Sequence, residues 1–136
     1  MSKGGFTKKT LLVAVIADES TVTGFLLTGI GQRGKDGQSN YMICNKETTD
    51  AMLEDVFYKW LHRDDIGVIL IAQNMAERVR NMIVEHQSDE EKVLPTVMEI
   101  PSKDAPYDPT KDSMLVAAAQ KLFGAEAGIE KLKNDD

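Results

Sequence analysis

Apolar residues along this chain gather in short runs, separated by polar, glycine-rich or proline-rich stretches. The most uniform run is Ile66–Ala72, Ile-Gly-Val-Ile-Leu-Ile-Ala, which carries no charge. A half-exposed strand alternates apolar and polar positions, so an unbroken apolar run predicts a strand covered on both faces. Strands of that kind belong to parallel sheets with helices above and below, and this one is predicted to lie in the middle. Leu11–Ala17 reads as a first strand and Tyr41–Cys44 as a short second. Val97–Ile100 reads as a last strand, and the flanking Pro95 and Pro101 suit a sheet edge.

Helical spacing fills the gaps. Val22, Phe25 and Leu26 predict a short helix after Asp18-Glu19-Ser20, whose acids suit a helix N-terminus. Asp50 to about His62 carries one stripe of Leu53, Val56, Phe57, Trp60 and Leu61, with Thr48 or Thr49 as cap. A third helix, capped by Asn74, packs Met75, Val79, Met82 and Ile83 inward and leaves Glu77, Arg78, Arg80 and Asn81 outside. Asp112 or Ser113 caps a final helix to about Phe123. The order βαβαβαβ predicts an α/β fold: a four-stranded parallel sheet flanked by helices, with flavodoxin- or receiver-like topology. That domain takes residues 1–100. A proline-rich extended linker follows over 101–111, then a C-terminal helix with a frayed tail over 112–136.

Composition narrows the function more than the fold. The 136 residues, 42% hydrophobic and 28% charged, suit one domain with an appendage. A formal net charge of −6 argues against phosphate backbones or anionic lipid as principal partners. No apolar run approaches the ~20 residues that span a bilayer. The first residues form a loose N-terminus without a signal-peptide core, because Lys8-Lys9 interrupts before Leu11. The single cysteine, Cys44, excludes an internal disulfide and reads as a buried strand thiol.

Several motifs invite chemistry that their context refuses. Gly29-x-Gly31-x-x-Gly34 matches a dinucleotide fingerprint, and Gly29-x-x-x-x-Gly34-Lys35 matches most of a phosphate loop. Both work where glycines leave a strand and open a helix; here they leave a helix and lead to a strand. Asp36 also stands where a phosphate loop needs Ser or Thr. Asp18 and Glu19 occupy the place of a receiver's metal-binding acids, but Ala72-Gln73 replaces the phosphoacceptor aspartate. His62 and His86 lack the companions of a metal site. No catalytic residue, cofactor or metal is expected.

The final helix differs. If polyproline-like, Pro101–Pro109 carries it ~28 Å onward at ~3.1 Å per residue. Its seam is Met114, Leu115, Ala118, Ala119, Leu122 and Phe123. A lone helix of about 11 residues is marginal in water, so it must dock, on its own sheet or on a partner. Burying about five such side chains yields on the order of 8–15 kcal/mol gross. Ordering the helix costs about as much, so the globular domain must share any interface.

These same residues carry a resemblance. Ile16–Leu27 with Gly29-Ile30-Gly31, Arg63–Ile66, Leu70–Ala76 and Pro95–Leu115 resemble the F-subunit family of the eukaryotic vacuolar-type proton ATPase. The likeness covers about residues 10–123, loops and linker included. It implies a non-catalytic central-stalk rotor component, one copy per complex, on the cytoplasmic face of vacuolar and endosomal membranes. It implies a partner, the coiled-coil D subunit of the V-type ATPase stalk, and no nucleotide or nucleic acid. The expected partner-binding residues are Met114, Leu115, Ala118, Leu122 and Phe123, with Gln73, Arg78 and Arg80 on the exposed side of the third helix. The loop over 31–39 and the tail past Gly124 depart from the family pattern. The contrasting expectation, from sheet order alone, is a receiver-like signalling module without a phosphoacceptor.

Overall fold

The β-branched and aliphatic runs pair into one parallel sheet in the computed structural model, which describes residues 11–31, 37–104, 106–124 and 132–133. Strands β1 (Leu12–Ala17), β2 (Tyr41–Ile43), β3 (Ile66–Ala72) and β4 (Thr96–Ile100) lie in the order β2-β1-β3-β4. This is the start of the flavodoxin-like order, so the predicted α/β architecture is the observed one. β1 and β3 share the centre, with Ala14 opposite Ile69 and Ile16 opposite Ile71. β4 is an edge strand, as its prolines suggested. The loose N-terminus, the Gly34-Lys35-Asp36 part of the loop and most of the tail beyond Gly124 lie outside the described residues.

One sheet face carries most of the core. Ile16, Ile69, Ile71 and Val97 meet Leu53, Phe57 and Trp60 of helix α2 (Asp50–Leu61). Ala76 of α3 (Gln73–Arg78) and Ile83 of α4 (Arg80–Ser88) complete that cluster. The other face packs Val15, Ala17 and Ala72 on Val22 of helix α1 (Glu19–Leu27). α1 leans mainly on β1 and β2, so Val68 and Leu70 of β3 stay half-buried. The expectation of full cover on both faces of β3 is corrected there.

Caps fall where the sequence put them for α1 and α2. Asp18 accepts from the Thr21 amide at 3.2 Å and from the Ser20 and Thr21 hydroxyls at 2.6 Å each. Thr49 accepts from the Met52 amide at 3.1 Å. The third helix differs from expectation: it is two segments, broken at Val79, which turns to φ −117°. Neither segment has a side-chain cap, so Asn74 does not cap.

Those hydroxyl bonds hold the Asp18 carboxyl down at about 2. A depressed carboxyl stabilises the fold above its ordinary value, and that contribution is lost as pH falls through about 2. Asp18→Ala should therefore cost about 1 kcal/mol at neutral pH. The gap from the unmodified protein should close as a denaturation series descends from pH 4 towards 2.

Candidate partner-binding face

A charged side chain buried in a strand end organises the approach to the last helix. Glu99 of β4 has a side chain only 2% exposed. A carboxylate there is costly unless it is paired and hydrogen-bonded. Arg80, the first residue of α4, supplies a two-pronged partner at 2.5 and 3.0 Å. The Ser113 amide donates to the same carboxylate at 3.3 Å, and Arg80 reaches the Ser113 hydroxyl at 3.1 Å. Glu99 thus fixes the first residue of helix α5 (Ser113–Phe123).

Gln73 secures the linker. Its side-chain amide donates to the Asp108 carbonyl at 2.7 Å, and its oxygen accepts from the Asp108 amide at 2.7 Å. The pair mimics a strand ladder and holds an extended segment to the sheet end. Asp108 in turn accepts from Thr110, and those bonds hold its carboxyl below the usual range. The Tyr107 hydroxyl donates to Asp112, and burial together with that bond raises the phenol. Asp112 caps α5 through the Met114 and Leu115 amides at 3.0 and 3.4 Å. The linker therefore does not carry α5 away; α5 packs beside α4 and the turn Pro109–Lys111.

The expected site residues divide sharply. Gln73 is buried rather than exposed, committed to Asp108 and Glu99. Arg80 is committed to Glu99. Arg78 reaches Asp50 at 2.6 Å and the Thr48 carbonyl at 2.8 Å, holding the start of α2. All three tie elements of the chain together; the expected exposed placing is corrected for Gln73, which is buried, while Arg78 and Arg80 are part-exposed. The α5 residues behave differently. Ala119 faces the protein, while Leu115, Leu122 and Phe123 are 38%, 76% and 51% exposed. Met114 is half-buried and Ala118 exposed. An apolar stripe is thus presented outward on a helix already capped and latched.

Gly29 and Gly31 follow the end of α1 with positive φ of 94° and 90°, closing a helix rather than opening one. A Cβ on Gly31 would stand 3.0 Å from Leu26. Asp18 has its oxygens occupied as a cap. Burial raises the Cys44 thiol. His62 Nδ1 lies 2.8 Å from the Tyr58 carbonyl, and His86 Nε2 lies 2.7 Å from the Pro95 carbonyl. Among the described residues, no three His, Cys, Asp or Glu could hold a metal together. None of the described helices is long and apolar enough to cross a membrane.

The model of the ATP synthase (F/14-kDa) subunit family matches residues 13–117. The chain belongs to that family. Its match runs from β1 into the first turns of α5, so it includes Glu99, Tyr107 and Asp112 of the latch. The F subunit of the V-type proton ATPase of Homo sapiens is 50% identical over 115 residues, 85% of this chain and 92% of that protein. That of Dictyostelium discoideum is 43% identical over 118 residues, 87% and 94% respectively. The V-type ATP synthase F subunit of Archaeoglobus fulgidus, a solved structure, has 25% identity, 67% and 98% coverage, and a TM-score of 0.47. Leu122 and Phe123, both more exposed than Leu115, lie past the end of the family match.

Sequence reasoning missed Glu99 as an organising residue, although a signal was available. In a strand where Val97 points inward, alternation points Glu99 inward too, and an inward charge demands a partner.

Proposed function

We propose that this chain is a non-catalytic central-stalk component of the cytosolic sector of a vacuolar-type proton-transporting ATPase. Its partner is the coiled-coil D subunit, engaged through Met114, Leu115, Ala118, Leu122 and Phe123. One copy turns with the stalk, at the cytoplasmic face of vacuolar or endosomal membranes, and transmits ATP hydrolysis in the catalytic ring to proton translocation. In this reading the chain is an accessory subunit, and the chemistry lies in the catalytic ring.

The observation that carries the reading is the exposed stripe on a pre-ordered helix. A helix of about 11 residues cannot hold itself together in water, yet α5 has its cap and its latch in place. A partner therefore gains the apolar burial without the full cost of ordering the helix. The narrow stripe suits insertion between ridges of a coiled coil. Purifying the native protein under mild detergent and identifying what elutes with it tests the reading. Co-elution with V-type ATPase components, the D subunit among them, is expected; elution as a lone chain would refute it.

A further inference from the structure

A groove of about 320 Å³ lies between α5 and the start of β4, walled by Val93, Val97, Met114 and Ala118, with Lys92 and Lys121 at its rim. It sits at the low end of the volumes that small-molecule sites occupy, which suits one or two side chains better than a cofactor. Val93 is 75% exposed, and the neighbouring Leu94 is also exposed. Two exposed apolar residues entering an edge strand have no role in the protein's own core. Met114 and Ala118 belong to both the groove and the outward stripe, so the two surfaces are continuous.

Charge indicates what fits. The chain carries a net charge of −6, yet the charged residues lining the groove are Lys92 and Lys121, with His86 as the remaining titratable group and no carboxylate. Asp89 lies 3.8 Å from Lys92, both half-solvated, so their pairing is weak. His86 is turned to the Pro95 carbonyl. We infer that the groove receives an apolar side chain from a partner helix whose flanking positions carry carboxylates. The Lys92–Val97 segment and α5 then grip the partner from two sides. This rests on the proposed stalk role and extends its interface beyond α5 onto the globular domain.

The test uses complexes depleted of this protein and titrated with the full-length chain. Leu122→Glu reads the stripe, Val93→Asp the groove and Lys121→Glu the rim. All three positions are exposed, so the isolated fold should be unchanged by circular dichroism and melting. Val93→Asp should weaken binding by about tenfold or more. Lys121→Glu should slow association and flatten its salt dependence. If Leu122→Glu releases the protein while Val93→Asp and Lys121→Glu bind as the unmodified chain does, the groove inference falls and the stalk reading stands. If Leu122→Glu and Val93→Asp both bind normally, both fall together.

Discussion

Leu115→Glu combined with Leu122→Glu should release the protein from the ATPase complex while leaving the sheet domain folded. Each leucine is exposed in the isolated chain, so a carboxylate there meets water and costs the fold little. Against a coiled coil the same carboxylate is desolvated without a partner, and the apolar burial is lost as well. Losing about 1.5–3 kcal/mol of transfer energy per leucine weakens binding on the order of a hundredfold or more. Native gels of the assembled enzyme should lack the doubly changed chain. Far-ultraviolet circular dichroism and the melting curve of the isolated protein should be close to those of the parent. Intact assembly with both changes present would reject the α5 interface.

Glu99→Ala acts on the opposite balance. It removes the carboxylate that joins β4, Arg80 and the Ser113 amide, leaving a guanidinium only 23% exposed without its partner. Breaking a buried pair by removing one side costs about 3–5 kcal/mol, and the partial exposure of Arg80 favours the lower figure. A loss of about 3 kcal/mol should lower the melting temperature by roughly 10 °C for a chain of this size. Because Glu99 also anchors α5, amide exchange over Ser113–Phe123 should rise more than exchange over β1 and β3. Glu99→Gln keeps the hydrogen-bonding shape without the charge and should fall between the two. Uniform exchange across the chain in Glu99→Ala would show that Glu99 holds no latch. Gln73→Ala should loosen the linker at Asp108 more mildly, since it removes two neutral hydrogen bonds there and one longer bond to Glu99 but leaves the Arg80–Glu99 pair in place.

The fold was legible because its determinants are local. Unbroken aliphatic runs mark β1 and β3, and Asp18, Thr49 and Asp112 sit immediately before helical spacing. The stripe on α5 was legible for the same reason, as periodicity within a single helix. The latch was not. Gln73 joins Asp108 across 35 residues, and Arg80 joins Glu99 across 19. Polar residues on a helix read by default as a solvated face, and nothing local to Gln73 or Arg80 says which distant carboxylate or carbonyl will claim it. The prolines of the 101–109 segment argue against a long helix, but Lys103-Asp104 turns and Pro109 opens a helical turn, so the segment is not extended throughout; its direction follows from these ties, and its reach could not be read from composition. The break at Val79 escaped for a related reason, since neither proline nor glycine announces it.

The outward stripe on α5 can be tested with one added thiol. The native Cys44 is buried and its thiol is held up by that burial, so it contributes a slow background to maleimide labelling. A cysteine placed by Leu122→Cys sits where the parent side chain is 76% exposed. In the isolated protein it should label at nearly the rate of a free thiol; in the assembled ATPase it should be protected by about tenfold or more. Equal labelling in the two states would mean that no partner covers α5, and the stalk assignment would fail with it.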